Sequence, residues 1–347
     1  MRESARDRSE VDLRAAVQAA MDNKTKPPGS LGRLESLAAD LAVATSSDQP
    51  SVDPARVIVF AGDHGVARDG VSAFPPEVTA QMCANFTGGG AAVAVLARTV
   101  GADLEVVDVG VAADLSDIDG IVDAKVAPGT ANLRHGPAMD QVALDAAIMV
   151  GREAVRRAAA DGQRLIALGE MGIGNTTSAA ILIGLLTGAD AETVTGPGTG
   201  LDTARLADKR GIVADALGRL APMAEDPASC LKHAGGLEIA AVVGAMLEAR
   251  SHLIPVLVDG FIVTAAAVVA CGMEPEARQQ LIFAHRSAEP GHQVALKALN
   301  AEPLLDLGMA LGEGSGATLA LPVLRATCDI LADMATFADA GVSGASA

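Results

Sequence analysis

At 347 residues the chain exceeds a typical single domain, and half of its residues are hydrophobic, which supports a large buried core. Aromatic residues make up only 2%, with no Trp and no Tyr, so the core must be aliphatic and any flat ligand must lie against Leu, Ile, Val, Met or one of the few Phe residues. A formal net charge of −17 argues against a nucleic-acid backbone as partner, because such binding rests on clustered Lys and Arg.

No leading apolar segment has the length and flanks of a signal peptide, and the apolar run near 262–270 is too short to span a bilayer. A cytoplasmic protein without membrane contact is expected. Cys83, Cys230, Cys271 and Cys328 are scattered, with no Cys-x-x-Cys pair and no His at zinc-ligand spacing. They read as buried small residues, and neither a metal nor a cofactor is expected.

The first fifty residues read as two polar helices interrupted by Lys26-Pro27-Pro28-Gly29-Ser30-Leu31-Gly32, with Ser30 a possible cap for the second. The run 56–60 is a short buried strand followed by Gly62-Asp63-His64-Gly65. That loop is a site candidate by position, since ligands gather beyond the carboxyl ends of parallel strands; the simpler reading is that Asp63 and His64 pair with each other or with backbone. A helix after Pro75-Pro76 carries Gln81, Met82 and Phe86, where Gln81 can read a ring nitrogen or face water. Two more strands, at 104–110 and 121–126, and a helix from about Met139 to Ala160 give the spacing of parallel crossovers.

The stretch around which the rest is organised is Leu168-Gly169-Glu170-Met171-Gly172-Ile173-Gly174-Asn175-Thr176-Thr177. It lies between an apolar strand and an Ala/Ile/Leu-rich helix, so Gly172 and Gly174 let the backbone approach a ligand. The helix N–H groups, with Asn175 and Thr176 beside them, can hold a phosphate. Glu170 at the lip of such a turn must face something other than phosphate, such as sugar hydroxyls or a developing positive charge. A second glycine turn, Gly196-Pro197-Gly198-Thr199-Gly200-Leu201-Asp202, leads into a helix bearing Arg205, Lys209 and Arg210, of which Lys209 is the favoured phosphate partner. Together the two turns suit a phosphorylated ribose.

Further strands are read at 253–261, ending in Asp259-Gly260, and at 281–284, whose exit loop runs from His285 to His292 with Arg286 and Glu289. That loop is read as structural or substrate-positioning. In Met309-Ala310-Leu311-Gly312-Glu313-Gly314-Ser315-Gly316, the flanking glycines give a ligand close access to Glu313, and apolar neighbours raise its proton affinity toward that of a general base. A solvent-exposed turn acid is the alternative. The helix that follows is read to about Phe337, with a kink at Pro322.

These motifs, in this order, resemble the nicotinate-nucleotide:dimethylbenzimidazole phosphoribosyltransferase family over nearly the whole chain. The resemblance implies transfer of the 5-phosphoribosyl group from β-nicotinate mononucleotide to dimethylbenzimidazole, giving α-ribazole phosphate and nicotinate for the lower ligand of cobalamin. It implies an α/β fold with a Rossmann-like, mainly parallel sheet flanked by helices, and a homodimer. Residues 51–312 would form the large domain, and segments 1–50 and 313–347 a small helical one. Carried over residue by residue, it makes Glu313 the catalytic base and sets Glu170, Gly172 and Lys209 around the ribose phosphate. Gln81 and Leu311 resemble members of the benzimidazole pocket, and the scarcity of aromatics agrees with a grip on the dimethyl ring through Leu311, Met309, Met82 and Phe86.

Two rival readings remain in the sequence: a non-catalytic sensor or carrier of phosphoribosyl ligands, and a transferase for another base such as adenine. A kinase or ATPase is excluded, because neither glycine turn has the Gly-x-x-x-x-Gly-Lys-Ser/Thr spacing.

Overall fold

A computed structural model describes residues 9–343; the outermost parts of the two terminal segments, 1–8 and 344–347, lie outside the described residues. Helices α1 (Glu10–Asp22) and α2 (Arg33–Thr45) precede strand β1 (Ala55–Gly62), and α3 (Val78–Thr87) and α4 (Ala92–Val100) lead to β2 (Asp103–Gly110). Next come β3 (Ile121–Asp123), α5 (Gln141–Ala160) and β4 (Leu165–Met171). Five helices follow: α6 (Asn175–Thr187), α7 (Ala191–Val194), α8 (Thr203–Leu220), α9 (Pro227–Ala234) and α10 (Leu237–Ala249). The chain continues through β5 (Val256–Val258), α11 (Phe261–Met273), β6 (Leu281–Phe283), α12 (Pro290–Ala298), α13 (Ser315–Asp333) and α14 (Phe337–Ala340).

The six strands form one sheet in the order β3-β2-β1-β4-β5-β6, every pairing parallel. The order reverses between β1 and β4, and in such sheets the crevice beyond the carboxyl ends at that point is where ligands bind. Both faces are covered. Ile58, Phe60, Ile166 and Leu168 point into one core with α5, α6, α8, α10 and α11, while Val57, Val59, Leu165 and Ala167 point into another with α2, α4 and α13. This period-two alternation between two apolar layers explains why the strands read as unbroken hydrophobic runs.

With so few aromatics, the core is closed by close backbone approach. A Cβ built on Gly151 of α5 would lie 1.7 Å from the Ala241 carbonyl oxygen of α10, and one on Gly244 of α10 would lie 2.0 Å from the Ile148 carbonyl oxygen of α5. Gly151→Ala is therefore expected to force the two helices apart and cost about 1–3 kcal/mol of stability, read as a lower thermal midpoint.

Several local expectations change. Gly32 is the N-cap of α2 and makes no side-chain cap, so Ser30 does not fill that role; Glu35 instead accepts from the Leu31 N–H (3.0 Å) and the buried Lys26 ammonium (2.7 Å). Helix α13 includes Pro322 and stops at Asp333, short of Phe337. Val17 and Met21 of α1, Ala38, Ala39 and Ala42 of α2, and Leu331 of α13 share a separate apolar cluster, so both ends of the chain pack together. No helix among the described residues is long and apolar enough to cross a membrane.

Candidate active site

A cavity of about 490 Å³ opens where β4, β5 and β6 end, and each strand delivers one ionisable residue to its wall: Glu170, Asp259 and His285. Glu170 sits within β4 itself, just before its last residue, Met171. The first glycine turn contributes Gly172, Ile173, Asn175 and Thr176, the second Gly198 and Thr199, and the segment before α13 contributes Ala310, Leu311, Gly312 and Glu313. The remaining wall is largely apolar: Phe74, Val78, Met82, Met171, Phe261 and Ile262.

Glu313 reaches this wall through a strained backbone. Gly312, Glu313 and Gly314 take φ values of +83°, +63° and +78°, a left-handed run that only the glycines adopt freely. Two features hold it. Asp259 accepts from the Gly314 N–H (3.2 Å) and the Ala317 N–H (2.8 Å), anchoring the start of α13. Gly169 of β4 lies against the Glu313 backbone so closely that a Cβ there would stand 2.6 Å from the carbonyl. A non-glycine residue kept in such a conformation by its surroundings is a mark of function.

Burial decides the proton affinities. Glu313 is only 7% exposed, and desolvation, with the Asp259 charge adding to it, pushes its carboxyl up to about 7. Glu170 is raised to about 8, first by desolvation and then by the charges of Glu238, Asp259 and Glu313; the Asn175 side-chain N–H donated to it acts in the other direction. Its carboxylate lies 2.7 Å from where a Cβ on Gly312 would stand, so the two acids flank one corner of the cavity. At neutral pH the environment favours a protonated Glu170 beside an ionising Glu313, an acid and a base set apart by their surroundings.

The two glycine turns meet. Lys209, fully buried on α8, donates to the Thr176 hydroxyl of the first turn (2.8 Å) and to the Gly196 carbonyl of the second (3.3 Å). Burial lowers its ammonium to about 8, against the Glu289 charge, which raises it. Glu289 in turn accepts from the Gly198 N–H (3.0 Å). Lys209 thus stitches the turns together from behind the cavity wall. Gly174, at φ +99°, is the N-cap of α6 and stands outside the lining.

Other residues singled out in the sequence serve the frame. Asp202 caps α8, accepting from the Arg205 N–H (2.9 Å), and both it and Gly200 lie outside the lining. Thr199 accepts from the Ala73 N–H (2.9 Å), joining the second turn to the loop before α3. Arg205 donates to the carbonyls of Gly70 and Ser72, which places it on the same loop. Helix α3 presents Val78 and Met82, one turn apart, to the cavity; Gln81 is exposed and outside the lining, and Phe86 belongs to the core. Leu311 lines the cavity, 55% exposed, while Met309 lies outside the lining and its carbonyl accepts from the Ala288 N–H (2.9 Å).

Asp63 and His64 do not pair with each other. Asp63 accepts from the Ala112 N–H (2.8 Å), and His64 pairs with Glu238, 174 positions along the chain. In the loop after β6, His292 accepts from the Ser287 N–H (2.8 Å) and contacts the Thr264 hydroxyl (3.0 Å); desolvation lowers it to about 4, a neutral structural imidazole. Sequence reasoning gave no role to Glu238 or Asp259. Asp259 carried a faint signal, an acid at a strand's carboxyl end, whereas Glu238 carried none.

The chain belongs to a phosphoribosyltransferase family: the family model described as Phosphoribosyltransferase matches residues 7–342. Its relatives are more specific. Proteins from Aromatoleum aromaticum (50% identical, covering 95% of this chain and 96% of its own) and Pseudomonas putida strain W619 (49%, covering 94% and 93%) are named nicotinate-nucleotide--dimethylbenzimidazole phosphoribosyltransferase. The crystal structure of CobT from Thermus thermophilus superposes with a TM-score of 0.91 at 48% identity, covering 95% of this chain and 99% of that one.

Proposed function

We propose that this protein transfers the 5-phosphoribosyl group of β-nicotinate mononucleotide to 5,6-dimethylbenzimidazole, with inversion, giving α-ribazole 5'-phosphate and nicotinate in cobalamin lower-ligand assembly. The observation that carries the reading is Glu313: a buried carboxyl with proton affinity near neutrality, held in a strained conformation at the wall of a mostly apolar cavity.

The chemistry needs one base. In nicotinate mononucleotide the leaving ring is already a pyridinium, so when the glycosidic bond breaks its electron pair returns to the ring nitrogen and no general acid is required. One benzimidazole nitrogen attacks the anomeric carbon from the opposite face, while Glu313 takes the proton from the other nitrogen. The dimethyl ring lies among Phe74, Val78, Met82, Met171 and Leu311, a mainly aliphatic pocket of the kind a chain without Tyr or Trp can build. Gly172, Asn175, Thr176, Gly198 and Thr199 receive the sugar phosphate, with Lys209 fixing both turns. Protonated Glu170 donates to the ribose hydroxyls. We further propose that the protein works in the cytoplasm as a homodimer, with the helical segments 1–50 and 313–347 forming a small domain beside the large one.

The test is nicotinate release across pH. Release should depend on added dimethylbenzimidazole, and kcat/KM should rise about tenfold per unit up to about pH 7 as Glu313 ionises. It should fall again above about pH 8 as Glu170 loses its proton, the two limbs belonging to the pair jointly. A profile flat from about pH 5 to 9 would remove Glu313 as the base.

A further inference from the structure

The loop after β1 carries a His that the reaction does not use, and its surroundings single it out. His64 and Glu238 are both buried and hydrogen-bonded to each other, with Nε2 and Oε1 2.6 Å apart. On the other side of the ring, Nδ1 lies 3.1 Å from the Ser178 hydroxyl in the first turn of α6.

Four glycines close around this pair. A Cβ on Gly172 would stand 2.4 Å from the Gly62 carbonyl oxygen, 3.2 Å from Glu238 and 3.3 Å from the His64 ring; on Gly174 it would stand 3.3 Å from the His64 Cβ. A Cβ on Gly236 would be 2.4 Å from the ring, and one on Gly62 would be 3.1 Å from the carboxylate. Two of the four belong to the glycine turn in front of the cavity. The Glu238 Oε2 has no hydrogen-bond partner among the described residues, so the carboxylate is held by shape and by its contact to the imidazole.

We propose that His64, Glu238 and Ser178 form a positioning unit beneath the first glycine turn, setting the backbone of residues 172–174 and the start of α6 at the height that takes the sugar phosphate. The His64 side chain is a rigid spacer: one edge of its ring is clamped by the carboxylate, the other carries the first turn of α6, Gly172 faces the ring and Gly174 faces the His64 Cβ and Ala67. This deepens the proposed transferase reading and rests on it. A second consequence follows from charge, because Glu238 is the largest of the three acidic neighbours, with Asp259 and Glu313, that raise Glu170.

The experiment compares wild type with Glu238→Gln and Ser178→Ala, using calorimetric affinity for nicotinate mononucleotide, steady-state KM for dimethylbenzimidazole, and the pH profile. For Glu238→Gln, which keeps the hydrogen-bonding capacity but removes the charge from the contact to His64, the nucleotide Kd should rise on the order of tenfold, with the dimethylbenzimidazole KM within about twofold of wild type. The alkaline limb should move to lower pH, because Glu170 is relieved of a like charge. Ser178→Ala, a small change in a helix, should raise the nucleotide Kd about threefold; if Glu238→Gln does not fold, this variant decides. Unchanged nucleotide affinity in a folded variant, with only a lower thermal midpoint, overturns the proposal, as does an equal loss for both substrates. If wild type releases no nicotinate, the transferase reading fails, and ribose 5-phosphate binding to the same variants then decides the positioning role on its own.

Discussion

Replacing Glu313 by Gln should lower kcat by about a hundred- to ten-thousand-fold, the usual contribution of a positioned general base, while circular dichroism and nucleotide affinity stay near wild type. The substitution is nearly isosteric. Asp259 anchors the backbone amides of Gly314 and Ala317 and not the Glu313 side chain, so the strained segment keeps its supports. The amide cannot accept the benzimidazole proton, and the residual rate should lose its dependence on pH near 7. A kcat within about threefold of wild type would assign the proton to another group.

Replacing Lys209 by Met should weaken nicotinate mononucleotide binding by about ten- to a hundred-fold, the worth of hydrogen bonds made by a charged donor, with little effect on dimethylbenzimidazole. Two contacts disappear at once, to the Thr176 hydroxyl and the Gly196 carbonyl, and these are what hold the turns together. Glu289, whose carboxyl is already raised by burial and kept down partly by Lys209, would be pushed higher and lose its opposing charge. A stability loss of about 1.5–3 kcal/mol should accompany the change. Unchanged nucleotide affinity would mean that the turns are held by their other bonds, such as Glu289 to the Gly198 N–H.

The central strands were legible because they are buried on both faces and therefore appear as compact apolar runs, Val57 to Phe60 and Leu165 to Leu168, whereas β3 at the sheet edge is only half-buried. The first glycine turn was legible because its glycines fall between an apolar strand and a helix, and the second because its glycines lead into a helix bearing cations. What periodicity cannot supply is the angular setting of a single side chain or a partner far along the chain. Gln81 looked suited to a ring nitrogen, yet α3 turns Val78 and Met82 to the cavity and leaves Gln81 exposed. Lys209 drew attention as a cation near a phosphate turn, but its ammonium lies behind that turn, a distinction only packing reveals. His64 invited pairing with its neighbour Asp63, and tertiary structure chose Glu238 instead. Glu313 stands between these cases: its flanking glycines were visible, but the left-handed strain and the Asp259 anchor were not.

In the proposed reaction one cavity brings a phosphoribosyl donor and an aromatic base together so that the base displaces nicotinate from the opposite face. Proton and phosphorus NMR of the products formed from β-nicotinate mononucleotide and dimethylbenzimidazole reads out both the transfer and its stereochemistry. Nicotinate and an α-configured benzimidazole ribonucleotide should appear in equal amounts. A β-configured product, or nicotinate released with free ribose 5-phosphate and no new nucleotide, would contradict the claim.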